Sequence, residues 1–392
     1  MLNSGDYAIA GLGVTDQGRL PGRGDVALKV ESLQLALADA GLRPGDIDGF
    51  MFQPGLIDIG AYGRGGDVVK LLGLNPNFIW NVQTGGATAV TLVHMACCAI
   101  ATGQASVVAI NYGDSSLSDG VSMSGPDAIG GNASVGVYGM FSPGADHALA
   151  ARRHMHLFGT TREQLGAIPV TARAYANKRP DAVLHSRPLT IEDYLARPPL
   201  TDPLNRDDYC LIADGGTSLI VTTSDRAADL RSRPVHIAGI GFGTAQGVVY
   251  ERTNYSNTGV AGAKAKAFGM AGLTVADIDC AQIYDCFSIA VLLTLEGYGF
   301  CGQGEGGPFV AEGNLGPTGR LPTNTAGGEL AWSYQQGFTP IVEAVRQLRG
   351  QGGATQLADP RTCLVTGHGG VTSAMGHMDY AESAMILTRE RA

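Results

Sequence analysis

Apolar residues recur along this chain in two alternating rhythms. Short continuous runs closed by glycine, as at 7–13, or lying between turns, as at 78–82, read as buried strands. Between them Val26, Val30, Leu33 and Leu37 fall at helical spacing and stop at Gly41, which predicts a helix to Ala40. Asp46, Ile47 and Asp48 then lead as a turn into a strand through Phe52. Gly85 and Gly86 open a helix through Thr102 that is apolar on nearly every side, so it belongs in the interior. A strand from Ser106 to Tyr112 follows. Strand, helix, strand at this spacing predicts a parallel sheet with right-handed crossovers.

From about Asp114 the rhythm changes. Residues 115–144 are rich in Gly and Ser and read as a loop. Helices are expected over 146–158, 161–178 and 191–196, a loop over 198–208, and a strand over 215–222. This reads as a helical insertion. The second half then echoes the first. Ile237-Ala238-Gly239-Ile240-Gly241 matches Ile9-Ala10-Gly11-Leu12-Gly13, and Asp277-Ile278-Asp279 matches Asp46-Ile47-Asp48. Gly327-Gly328 before a helix matches Gly85-Gly86, and the run from Cys363 to Gly370 matches that from Val107 to Gly113. Echoes in this order, at an offset of roughly 230 residues, predict an internal duplication into two α/β halves. The expected divisions are 1–113 and 215–233 for the first half, 114–214 for the insertion, and 234–392 for the second half.

Composition narrows the class. At 392 residues the chain can build a large pseudo-symmetric core, and its 57 glycines call for many tight turns and close backbone approaches. A net charge of −9 excludes a general nucleic-acid binder and leaves room for a local basic patch. The seven cysteines have no metal-like spacing and read as reduced thiols of a cytoplasmic protein. No apolar run reaches the ~18 residues of a membrane span, and residues 1–6 lack an export-signal pattern. His147, His154 and His156 have no partner carboxylates, so no metal is expected. Arg152-Arg153 reads as a solvated helix face, and Asp214 as turn chemistry before two glycines. Residues 302–307 lack the Gly-Lys-Ser/Thr ending of a phosphate loop.

The chemistry concentrates in two segments, Ala281-Gln282-Ile283-Tyr284-Asp285-Cys286-Phe287 and Asn324-Thr325-Ala326-Gly327-Gly328 through Tyr334. These segments resemble the C-terminal half of thiolases of the sterol-carrier-protein type. The resemblance, together with the duplication, implies the α/β thiolase fold: duplicated βαβαβαββ halves in a five-layered αβαβα core, with a helical loop-domain insertion. It also shows what is missing. Tyr284 stands at the family's Asn, Tyr334 at its catalytic His, Gly86 at its nucleophilic Cys, and Gly367 at its second Cys. A glycine cannot form an acyl-enzyme, so ordinary thiolase chemistry is not expected.

Glycine pairs at 85/86, 327/328 and 369/370 still let backbone amides approach a developing enolate. Retro-aldol cleavage of a β-hydroxyacyl thioester needs such a pocket, a base and an acid, but no nucleophile. The two-tyrosine pattern is similar to that of the lipid-transfer-protein-like aldol lyases of bacterial steroid side-chain breakdown. That resemblance implies a carbon–carbon lyase acting on a bulky acyl-CoA, with Tyr284 and Tyr334 as the catalytic pair. Which tyrosine is base and which is acid stays open. Asp285 and His368 are candidate relay partners, and Gly86, Gly328, Gly369 and Gly370 candidate oxyanion or substrate-binding positions. No metal or redox cofactor is implied, and the CoA thioester is substrate. A homodimer core with a small OB-fold partner, giving a heterotetramer, is implied as well. The alternatives are a non-catalytic acyl-CoA- or lipid-binding scaffold, and an acyltransferase using Cys286 or Cys301.

Overall fold

The computed structural model describes residues 2–56, 64–121, 142–245, 259–372 and 378–391. Its strands are β1 (Tyr7–Val14), β2 (Gly49–Phe52), β3 (Ile79–Asn81), β4 (Val107–Asp114), β5 (Gly215–Thr223), β6 (Val235–Ala245), β7 (Cys280–Gln282), β8 (Thr362–Thr372) and β9 (Met378–Thr388). They are hydrogen-bonded in the order β3-β2-β4-β5-β1-β6-β9-β8-β7. Reading outward from the central β1/β6 contact, the order of the first half recurs in the second. Among the described residues, β1 and β6 pair through Ala8↔His236 and Ile9↔Val235. Register breaks at the same point in both, between Ile9 and Gly11 and between Ile237 and Gly239. The parallel bridge Ala281↔Thr323 occupies the place beside β7 that β3 has beside β2.

The echoed residues are the ones the backbone geometry demands. A Cβ on Gly13 would lie 2.0 Å from the Ser32 carbonyl oxygen, and one on Gly241 would lie 2.1 Å from that of Ala263. In each half a helix therefore lies directly on the first strand, with no space for a side chain. Gly241→Ala is expected to cost about 2 kcal/mol or more, since backbone cannot yield as a flexible side chain can; chemical denaturation measures this. The echoed aspartates do equivalent work. Asp48 accepts the amides of Ser106 and Val107 ahead of β4, and Asp279 those of Arg361 and Thr362 ahead of β8.

Helix Asp25–Ala40 covers the outer face of the first half, sharing a core with Phe50, Val107 and Ile220. Helix Val260–Ala271 covers the outer face of the second, against Leu364, Ala384 and Ile386. Helices Thr88–Ala101 and Phe338–Arg349 lie between, in one core with Met51, Val108 and Ile110 of one half and Cys363, Val365 and Leu387 of the other. These are the five layers of the α/β thiolase arrangement.

Two expectations are corrected. In helix Asp25–Ala40 the buried stripe includes Leu28, Lys29, Ser32 and Leu33, while Val26 and Val30 stay partly exposed. Buried Lys29 is tolerated because Asp25 faces it at 2.9 Å. Gly327-Gly328 open only the short helix Gly328–Ala331. The counterpart of Thr88–Ala101 starts at Phe338, after Gly337 at φ +90°.

The insertion leaves from β4 and returns to β5, but it packs on the second half. Leu165 and Ile168 of helix Arg162–Ala176 share a core with Leu292, Phe309 and Trp332. Buried Arg179 reaches Glu343 at 3.1 Å, and buried His154 reaches Glu296 at 3.0 Å. Helix Pro143–Phe158 is thereby laid beside the ends of β7 and β8. No helix among the described residues is long and apolar enough to cross a membrane.

Candidate active site

Tyr284 follows β7, in a loop held by a reciprocal pair of bonds. The Ile283 amide donates to Asn324 Oδ1 at 2.7 Å, and Asn324 Nδ2 donates to the Ile283 carbonyl at 2.9 Å. The Tyr284 amide donates to Thr366 Oγ1 at 3.2 Å, which docks the loop on β8. Tyr334 lies between helices Gly328–Ala331 and Phe338–Arg349, just before Gln336, a non-glycine residue at φ +43°. Gln53 Nε2 holds that turn by donating to Gln336 Oε1 at 2.7 Å. The result is a contact of 3.2 Å between the Tyr284 and Tyr334 hydroxyls.

Gly86 explains how the pair fits. A Cβ there would lie 2.1 Å from Tyr284 Cζ and 2.5 Å from the His368 carbonyl oxygen. The Tyr284 ring thus fills the space that any side chain at 86 would need. A side chain at 86 and the Tyr284 ring therefore exclude one another. Gly367 is packed nearly as tightly: its Cβ would meet Ser383 Oγ at 2.5 Å and the Gly86 carbonyl oxygen at 2.6 Å. Gly369 brings β8 onto the turn before helix Thr88–Ala101, where its Cβ would lie 2.9 Å from the Gly86 nitrogen and 3.0 Å from that of Ala87. The Gly86 and Ala87 nitrogens, ahead of a 14-residue helix, therefore lie beside Gly369, together with the Thr84 carbonyl oxygen, which accepts the Ala87 amide at 3.4 Å. Gly370 continues β8, paired with Tyr380.

Gly328 does something else. At φ +61° its Cβ would lie 2.1 Å from Asp285 Oδ2. Asp285 in turn accepts the Glu329 amide at 2.7 Å and that of Leu330 at 3.3 Å. The carboxyl of Asp285 thus pins the segment leading to Tyr334 and faces backbone amides where a relay to a hydroxyl was expected. Gly328 makes room for that carboxyl, which is a poor neighbour for an anion.

Burial pushes both phenols well above the ordinary tyrosine range, with Glu329 adding to it in each. Neither is a phenolate near neutrality, so both hydroxyls keep their protons and face the site as donors, not as bases. Burial pushes Asp285 up to about 7, and it pushes Glu329 up too, with Asp285 as the second cause. Glu329 Oε1 accepts the Gly337 amide at 3.1 Å, while Oε2 has no hydrogen-bond partner among the described residues. A carboxyl raised in the folded state binds protons that the unfolded chain releases. Its stabilising contribution is complete below the ordinary carboxyl range and fades as pH rises through the folded value. Glu329→Gln should therefore melt with the wild type near pH 4 and above it at pH 8, by about 2 °C or more. Thermal scans across that range check the sign.

His368 lies on β8 with Nδ1 2.6 Å from Glu382 Oε1. His147, from the first turns of helix Pro143–Phe158, stacks on Phe287 at 4.0 Å and places Nε2 3.7 Å from Cys286 Sγ. Its Nδ1 lies 2.8 Å from the Pro143 carbonyl oxygen, and burial pushes the ring down to about 3, so it stays neutral. His147, Cys286 and His368 put donor atoms within 4.8 Å of one another, the one such trio among the described residues. Zinc binds a thiolate, whereas burial holds Cys286 as a thiol, so the trio does not fit a metal. His154 is elsewhere, bonded to Thr160 and Glu296. Burial raises the Cys286 thiol well above its ordinary range and Cys301 to about 12. Both are poorly suited as nucleophiles. Asp214 is structural, accepting the amides of Leu20 and Ser118.

Sequence reasoning passed over Glu382, Glu329 and the placement of His147. Glu382 did leave a signal: a carboxylate two positions before the apolar run Ala384 to Leu387.

The thiolase C-terminal domain-like family model matches residues 241–380. A 17-hydroxy-3-oxo-4-pregnene-20-carboxyl-CoA lyase of Mycobacterium tuberculosis is 35% identical over 389 residues, covering 95% of this chain and 98% of the relative. A steroid side-chain-cleaving aldolase of Thermomonospora curvata is also 35% identical, covering 94% and 97%. Among solved structures, the Ltp2-ChsH2(DUF35) aldolase superposes with a TM-score of 0.88 at 34% identity, covering 99% of each chain.

Proposed function

Because the chain belongs to the thiolase superfamily, in its branch of steroid side-chain-cleaving aldolases, we propose that it splits a β-hydroxyacyl-CoA carried on a steroid by retro-aldol reaction. The products are a steroid ketone and a short acyl-CoA. The observation that carries this is the 3.2 Å contact between the buried Tyr284 and partly buried Tyr334 phenols, set over a glycine where the nucleophile of a thiolase would stand. With no cysteine at 86 or 367 the Claisen route has no acyl carrier. A retro-aldol route needs only donors for the thioester oxygen, an acid at the α-carbon and a base at the β-hydroxyl.

Amides at the start of helix Thr88–Ala101, beside Gly369, are suited to the thioester oxygen. The phenol pair, held protonated by burial, is suited to protonating the α-carbon of the enolate. Only the enolate carries the charge that these donors meet, so they favour the transition state over the bound ester. The CoA thioester enters as substrate, and this chemistry calls for no redox cofactor.

A small partner protein of the kind joined to the Ltp2 aldolase, with an OB fold, belongs to the same proposal. So does a homodimer through the first-half edge. There Ile79, Trp80 and Asn81 of β3 are all exposed, and Trp80 stacks on Phe78 at 4.0 Å. The test is product analysis by mass spectrometry with 17-hydroxy-3-oxo-4-pregnene-20-carboxyl-CoA, using protein purified with its partner. A 17-ketosteroid and propionyl-CoA are expected. Intact thioester, or an acyl adduct on a cysteine, would sink the reading.

A further inference from the structure

We propose that His368, oriented by Glu382, accepts the β-hydroxyl proton in this reaction, with Glu382 as its positioning residue. This rests on the retro-aldol reading above. That reaction moves protons at two different atoms, the β-oxygen and the α-carbon. The phenols, 3.2 Å apart, form a single locus, and burial keeps them as donors. The acceptor must be a second group across the reacting bond.

His368 is placed for this. Its backbone oxygen and the Tyr284 ring meet at one point above Gly86, 2.5 and 2.1 Å from where a Cβ would be. His368 and Glu382 are cross-strand partners on β8 and β9, and their side chains close to 2.6 Å. The Glu382 carboxylate, nearly inaccessible at 3% exposure, accepts a hydrogen bond from Nδ1–H and so assigns the basic lone pair to Nε2. Among the described residues, His147 from helix Pro143–Phe158 and Cys286 from the loop after β7 pack beside the ring. His147 is unsuited to the role, since its Nε2 faces Cys286 Sγ at 3.7 Å and burial holds its ring down to about 3. Cys286 is a buried thiol.

The step balances within the site. The β-hydroxyl proton passes to Nε2 of His368. The Cα–Cβ electron pair enters the thioester enolate while the β-carbon becomes a ketone. A phenol proton then goes to Cα. The imidazolium returns its proton to the phenolate, and no further reactant is consumed.

The experiment uses the enzyme with its partner and the same steroid thioester. His368→Gln should lower kcat by about 10²–10⁴-fold with KM little changed. His368→Ala should regain turnover with added imidazoles, more with the more basic ones, whereas Tyr334→Phe should not. Glu382→Gln, nearly isosteric, should lower kcat by about 10–100-fold at unchanged KM and melting temperature. It carries the test if the His368 variants fail to fold. The proposal is overturned if His368→Gln keeps more than about a tenth of kcat, if imidazole restores nothing, or if Glu382→Gln alters only stability. Wild-type cleavage that is lost in Tyr334→Phe but kept in His368→Gln rejects this dyad and leaves the aldolase reading standing. A wild type without cleavage removes both.

Discussion

Tyr334→Phe is expected to lower kcat by about 10²–10⁴-fold while leaving KM within a few-fold of wild type. The substitution removes one oxygen and leaves the ring. What is lost is the partner of the Tyr284 hydroxyl at 3.2 Å, and with it the delivery of a proton to the enolate carbon. Tyr284→Phe should fall by a similar factor, since Tyr284 is the other half of the same locus. The double variant should be little worse than either single one, because groups that act as a unit are non-additive. Steady-state kinetics on the steroid thioester, alongside equilibrium binding of the thioester, separates turnover from affinity. A double variant within about tenfold of wild type would mean that the phenols do not carry the proton transfer.

Gly86→Cys should fail to restore a thiolase and should destabilise the fold by about 1–3 kcal/mol or more. The new Cβ would have to lie 2.1 Å from Tyr284 Cζ, so the ring must leave its place over Gly86 and the hydroxyl contact goes with it. Aldol cleavage should drop with stability. Pairing the change with Tyr284→Ala should recover part of the loss, because the ring that clashed is gone. Recovery should stay incomplete, since the His368 carbonyl oxygen is 2.5 Å from the same point and is backbone. A double-mutant cycle by chemical denaturation gives the coupling between positions 86 and 284. A stable Gly86→Cys protein with full aldolase activity would refute the steric account.

The duplication and the tyrosine pair were open to view in the residue order, and for physical reasons. Gly13 and Gly241 recur because a helix backbone presses on each strand, and Asp48 and Asp279 recur because each caps the strand beside it. Such needs are local and leave local marks. The roles of Asp285 and Gly328 were not visible, because a carboxyl reads the same whether it faces a hydroxyl or two amides. The helix expected after Gly327-Gly328 failed because the left-handed turn at Gln336 and Gly337 intervenes, and Gln53, 283 residues away, holds that turn.

The order of residues by itself determined the two-half α/β architecture, the absence of a nucleophile at 86 and 367, and the two phenols in its place. Only the tertiary structure decided that those phenols touch, that Asp285 serves the backbone, and that His368 is held by Glu382. It also decided that an insertion from the first half lays His147 against Cys286, 139 positions away, in the second. Periodicity and turn chemistry act over neighbouring residues and can be read in one dimension. Which side chains share a buried space depends on how whole layers stack, and burial then sets which of them keep their protons.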